Sequence, residues 1–321
     1  MRNIRKNKIA IMFTILVLIM ALSVGCTSNN QDAQKPEEKN NEEVESVVEY
    51  PLEIEDQFGN KVVFEKAPER IVSLAPSHTE ILFSLGLGDN VVGVTSFCDY
   101  PEEASTKEQV GSFQEINLER IIELETDMVF QYGPGDEDIN NSLEEAGIKV
   151  ISYEPETIDE VIDLIKIIGK ITGKTSEAEE ITKDMIDRRD AVVEKTKDAD
   201  KVKVFYEIWH DPLTAAGPGS FMDELITLAG GDNIAKDADS PYPQFDVEKL
   251  IERDPEVYLA ADDMEERDPE AIKQRPGYEN ISAIKNDKIY LLEPNIVSRP
   301  GPRIVEALEL VAKAIHPELF Q

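Results

Sequence analysis

Residues 79–91 read TEILFSLGLGDNV and residues 223–234 read DELITLAGGDNI, and a single one-residue gap aligns them. Residues 118–127, LERIIELETD, match residues 247–256, VEKLIERDPE, without a gap. One such pair is weak evidence, because Gly-Asp-Asn after an apolar helix is ordinary C-terminal punctuation. Two pairs in the same order point to a duplicated unit, so the chain is expected to build two similar lobes.

Around these repeats, short apolar runs alternate with helical patterns. Strands are expected over 70–74, 91–94, 127–131, 148–152, 202–208, 256–260 and 288–292. Helices are expected over 79–85, 118–124, 158–168, 223–228 and 305–314, where apolar residues recur every three or four positions. This alternation predicts an α/β fold with parallel sheets covered by helices. Residues 176–197 differ: they read as one long charged helix with a thin stripe of Ala178, Ile181, Met185, Ala191 and Val192, a strut between the lobes. The expected division is an N-terminal lobe over 51–172, a connecting helix over 173–199 and a C-terminal lobe over 200–321.

The chain has 321 residues, long enough for two cores, and carries 33 basic against 66 acidic residues, a net charge of -33. Such an excess repels phosphate backbones, so nucleic-acid binding is excluded. The basic residues Arg2, Arg5, Lys6 and Lys8 precede an apolar run from Ile9 to Leu22 and then Ser23-Val24-Gly25-Cys26. That order reads as a lipoprotein signal peptide over 1–26, with Cys26 taking the lipid. The box departs from the usual pattern, Ser23 standing where Leu is customary, and the alternative is an uncleaved membrane helix. Either way the body lies outside the cytoplasm. Residues 27–50 are polar and acidic and read as a disordered tether. Cys98 is then left without a partner, so no disulfide framework is expected.

In open parallel sheets, ligands bind beyond the carboxyl ends of the strands. The segments leaving the expected strands are rich in rings: Phe97, Tyr100, Phe113, Tyr132, Trp209, Tyr242 and Phe245. Exposed rings favour a large planar or amphipathic ligand. Arg299 and Arg303 are the only basic residues in those segments, which argues for a ligand close to neutral. His78 falls in a possible capping box, Ser77-His78-Thr79-Glu80, and His210 follows Trp209 on another loop. No third ligand stands at a recognisable spacing, so no metal site is assigned. Neither a nucleophile elbow nor a zinc-protease motif nor a phosphate-binding loop is present, and no catalytic residue is assigned. Glu119 and Glu248 occupy equivalent repeat positions. They suit either docking onto a symmetric basic partner or simple complementation of the helix dipole.

The runs ERIVSLAPSHTEILFSLGLGDNVVGVTSFCDYP (69–101), VGSFQEINLERIIELETDMV (110–129), SPYPQFDVEKLIERDPEV (240–257) and SRPGPRIVEALELVAKAIHPE (298–318) resemble the helical-backbone substrate-binding proteins of ABC importers, in particular the vitamin B12-binding branch. The resemblance implies two Rossmann-like lobes joined by a single long α-helix, with the ligand in the cleft between them. It implies a lipid-anchored monomer on the extracytoplasmic face of the cell membrane, which hands cobalamin or a related corrinoid to an ABC permease and its ATPase subunits. The corrinoid is cargo; no cofactor is expected.

Carried over by motif, the cleft walls would be Phe113, Tyr132, Tyr242 and one or both of Phe97 and Tyr100. Phe113 and Tyr132 stand where better-known relatives have Trp, and Asn295 stands where they have Asp, near Arg299. Glu119 and Glu248 match the glutamates that dock onto arginines of the membrane subunits. The rival ligands are a ferric hydroxamate siderophore or haem, for which His78, His210, Tyr132 and Arg299 would be the available groups. From other classes come a surface-tethered hydrolase and a ligand sensor.

Overall fold

The computed structural model describes residues 48–112, 115–263 and 265–320. The expected signal segment with Cys26, the tether up to residue 47, and Phe113 lie outside the described residues. Residues 48–50, read as the end of the tether, belong to the body. Val48 and Tyr50 pack against the core, and the Tyr50 hydroxyl donates to the Ile171 carbonyl at 2.7 Å.

A hairpin of β1 (Leu52–Glu55) and β2 (Lys61–Phe64) opens the body. The first lobe follows with β3 (Ile71–Ser73), α1 (Pro76–Ser84), β4 (Val91–Val94), β5 (Glu108–Gln109), α2 (Leu118–Glu123), β6 (Met128–Tyr132), α3 (Glu137–Glu145), β7 (Lys149–Tyr153) and α4 (Ile158–Thr172). Its sheet is parallel throughout in the order β5-β4-β3-β6-β7.

After α5 (Thr175–Thr196), the second lobe contains β8 (Val202–His210), β9 (Leu213–Ala215), α6 (Phe221–Leu228), β10 (Gly231–Asn233), α7 (Val247–Arg253), β11 (Val257–Ala261), α8 (Pro269–Lys273), α9 (Ser282–Lys285), β12 (Ile289–Leu292), α10 (Pro294–Val297) and α11 (Ile304–Ile315). Its parallel order is β10-β8-β11-β12, with β9 antiparallel to β8. Strand for strand this repeats β4-β3-β6-β7, so the duplication read from the helices extends to the sheets.

The joining helix has 22 residues, about 33 Å at 1.5 Å per residue. Its buried stripe is Ala178, Thr182, Met185, Val192 and Thr196; of the expected apolar set, Ile181 is only half-buried and Ala191 is exposed. Threonine can take the buried positions because its hydroxyl bonds back into its own helix: Thr182 Oγ1 donates to the Ala178 carbonyl at 2.7 Å, and Thr196 Oγ1 to that of Val192 at 3.1 Å.

The helix is fastened on both sides, by Arg189 to Asp159 of α4 and by a two-bond Arg188–Glu309 pair to α11 at 2.8 and 2.7 Å. A Cβ on Gly169 would lie 2.5 Å from that of Ala178, so the crossing of α4 and α5 requires glycine. One apolar cluster runs from Ile71 and Phe130, through these helices, to Val204 and Leu308. Among the described residues, no helix is long and apolar enough to cross a membrane.

Candidate ligand-binding site

The carboxyl end of β3 leads through Ala75 into α1. Ala75 is the N-cap, with extended backbone, and Pro76 takes the first helical turn, where its missing N–H costs nothing. The capping box read at Ser77 is therefore not formed. Ser77 lies inside the helix and is buried, and Glu80 turns away to the other lobe. Beside this turn a cavity of about 790 Å³ opens between the lobes. The first lobe contributes Pro76, Phe97, Gln131 and Tyr132, and the second contributes Asn295, Ser298 and Arg299. A smaller cavity of about 190 Å³ shares Tyr132, Ser298 and Pro300 with the first and adds Tyr206, Phe221 and Tyr242. The two form one cleft walled by residues of both lobes.

Of the sequence-assigned residues, Phe97, Tyr132, Tyr242, Asn295 and Arg299 line this cleft. Phe97, Tyr132 and Tyr242 are 48%, 41% and 60% exposed. Burial, with Glu154 nearby, pushes the Tyr132 hydroxyl up to about 12, and burial also raises that of Tyr242. Both are neutral phenols at physiological pH, able to donate or accept a hydrogen bond.

Five sequence readings are corrected. His78 is fully buried, stacked on Phe130 at 3.8 Å with a 4° interplanar angle, and burial lowers it to about 3. Its position on the inward face of α1 removes it from the cleft and from any role as a haem ligand. Tyr100 lies under the Arg303 guanidinium, 3.8 Å from its ring centre, outside both cavities. Trp209 and His210 extend β8 and pair with β9. The Trp209 indole donates to the Asp211 carbonyl at 2.9 Å, and the Arg267 guanidinium sits 5.8 Å from its ring centre. These two residues became a strand because β9 supplies their ladder, and neither borders the cleft. Phe245, read as a loop ring, is buried against Phe205.

Gln131 was not singled out by the sequence. It lines the cleft with its amide fixed by Ser152 at 2.8 Å, Asn140 at 3.2 Å and the Pro134 carbonyl at 3.1 Å. The readable signal was Gly135: its φ is +70°, and a Cβ there would meet Gln131 Nε2 at 2.5 Å.

The cleft's cations are spoken for. Arg303 grips Glu80 through two hydrogen bonds, at 2.9 and 2.6 Å. Arg299 donates to Asp99 at 2.6 Å and to Glu80 at 3.4 Å. Each bond crosses from the second lobe to the first. Asp136 caps α3 in the same wall, accepting from the Ile139 N–H at 3.0 Å, and adds a negative charge. Glu119 and Glu248 stand on the surface, each at the second residue of its helix. They make no salt bridge with any described residue, while neighbouring Arg120 is held by Glu108 and Glu123.

Residues 71–296 match the family model described as periplasmic binding protein. The chain is 32% identical, over 98% of its length and 99% of the relative's, to the uncharacterized ABC transporter substrate-binding lipoprotein YvrC of Bacillus subtilis. The crystal structure of the periplasmic vitamin B12 binding protein BtuF of Vibrio cholerae superposes with a TM-score of 0.67 at 28% identity, covering 79% of this chain and 99% of that one. The periplasmic heme-binding protein RhuT of Roseiflexus gives 0.70 at 26%, with the same coverage. The duplicated α/β lobes, the joining helix and the cleft between the lobes, together with these matches, place the chain in the periplasmic binding protein family, the substrate-binding components of ABC importers.

Proposed function

We propose that this protein is a lipid-anchored extracytoplasmic receptor that captures cobalamin or a related corrinoid and delivers it unchanged to an ABC permease. The observation that carries this reading is the cleft itself, bordered by Phe97, Tyr132 and Tyr242, with both guanidiniums consumed by Glu80 and Asp99. A corrinoid is bulky, amide-rich and close to neutral. Ring faces would cover its apolar edges, and the fixed Gln131 amide, Asn295 and the two phenols would pair with its amides.

A haem would need free cations for its propionates, and it would also need an axial ligand. His78 is unsuited to the second task, leaving Tyr132 as the cleft group that could attempt it. Cys26 would carry the anchor, and Glu119 with Glu248 would set docking on the permease. The reading has no catalytic step.

The test is a titration of the protein with cyanocobalamin, cobinamide, haemin and a ferric hydroxamate. Saturable binding of a corrinoid, recovered unaltered, is the expected result. Tight binding of haemin or the hydroxamate with neither corrinoid bound would reject it.

A further inference from the structure

The cleft holds no unpaired positive charge because of a particular pairing. Arg299 is the one cation that lines the cavity among the described residues, and its guanidinium donates to Asp99 across the gap between the lobes. Glu80 does not neutralise it alone: that carboxylate is buried, already takes two bonds from Arg303, and reaches Arg299 only at 3.4 Å. Asp99 is exposed at the rim, on a loop fastened from beneath. There the buried Cys98 thiol sits 3.1 Å from the Thr79 hydroxyl and 3.2 Å from that of Thr95, and the Ser96 N–H donates to the Gly111 carbonyl at 3.0 Å. The hydrogen bond from the Arg299 guanidinium lowers the Asp99 carboxyl and favours its ionised form.

We propose that Asp99 is a specificity-determining residue: by occupying Arg299 it closes the cleft to anionic ligands and leaves it open to neutral ones. The inference rests on the reading of this cleft as the ligand site and refines its substrate class. Its consequence is directional. Removing the Asp99 charge while keeping its shape frees a guanidinium already pointed at the cavity wall, and a free guanidinium is the group that best recognises a carboxylate.

The probes are haemin, which carries two propionates, and haemin dimethyl ester, in which both are neutral. The protein and its Asp99→Asn variant are titrated with each at low and high ionic strength. In the variant the ratio of haemin to ester affinity should rise by about tenfold at low salt, the scale of a charge-assisted pair partly open to water. The gain should shrink at high salt and vanish in Asp99→Asn/Arg299→Gln. An unchanged ratio, an absence of haemin binding by Asp99→Asn, or a gain that survives the loss of Arg299 would overturn the proposal. Because the ratio is taken between haemin and its ester, it is read independently of corrinoid binding. A raised ratio without corrinoid binding would leave Asp99 its role and remove the corrinoid reading; corrinoid binding with a flat ratio would do the reverse.

Discussion

The two lobes repeat the same strand order yet bury their polar groups in opposite ways. In the first, His78 lies between α1 and β6, stacked on Phe130, and neither ring nitrogen has a hydrogen-bond partner. In the second, Glu207 of β8 is equally inaccessible but accepts from Arg275 and from the Tyr258 hydroxyl, with Arg267 Nε at 3.7 Å. The difference follows from charge. An imidazole can stay neutral and be tolerated unpaired, whereas an ionised carboxylate in an apolar lobe must be surrounded by donors. In doing so it fastens the segment carrying Arg267 and Arg275 to β8.

The strongest way to break this contrast is to strand the charge. Arg275→Met removes the donor that holds both Glu207 oxygens, and should cost about 3–5 kcal/mol of stability, read from the urea midpoint. Adding Glu207→Gln should recover a large part of that loss, since a neutral amide needs no counter-charge. A double variant no more stable than the single one would mean that packing of the arginine stem, not the buried charge, set the cost.

Acid separates the lobes next. His78 titrates near 3 when folded and near 6.5 when unfolded. The unfolded chain therefore binds the extra proton between those values. The stability contributed by the neutral ring is complete above pH 6.5 and falls as pH drops towards 3, by about 1.4 kcal/mol per pH unit. Glu224, on α6 of the second lobe, accepts from the Ile158 N–H at 2.9 Å and is pushed up to about 7, chiefly by burial. Its sign is reversed: the folded state holds the proton more tightly, so stability falls as pH rises from 4.5 through 7. Urea midpoints across pH 4–7 should thus lose their acid-side decline in His78→Leu and lose the opposing slope in Glu224→Gln. Superimposable profiles for the parent and His78→Leu would show that the ring does not control acid sensitivity.

What the sequence disclosed, and what it withheld, follows the same division between repetition and context. Strand positions such as Val91–Val94 and the joining helix were legible because apolar periodicity records the core directly. The β1–β2 hairpin and α3 were missed. The hairpin's two strands have only four residues each, and α3, EDINNSLEE, offers one fully buried side chain, Leu143. In the site, Phe97, Tyr132 and Tyr242 were legible as rings next to turn residues. Trp209 carried the same local signal, but the partner strand Leu213–Ala215 drew it into a ladder. The pairing of Arg299 with Asp99, 200 positions apart, left no local trace at all. Contacts between lobes depend on how the two copies meet, and no window of sequence contains that.

The finest comparison concerns the equivalent helices α2 and α7, and it decides whether Glu119 and Glu248 face a partner or merely their own helix dipoles. Asn117 caps α2, accepting from the Arg120 N–H at 2.9 Å, and Asp246 caps α7, accepting from the Glu248 N–H at 2.7 Å. Asn117→Ala or Asp246→Ala should each cost about 1 kcal/mol. Glu119→Ala or Glu248→Ala should cost about 0.3–1 kcal/mol through the dipole alone. If the glutamates dock on the permease, Glu119→Ala/Glu248→Ala should keep ligand affinity yet lower uptake in cells, whereas the cap variants, at a comparable loss of stability, should keep their uptake. Uptake that merely tracks stability across all four positions would assign both glutamates to their helices, and the docking surface would have to be sought elsewhere on the two lobes.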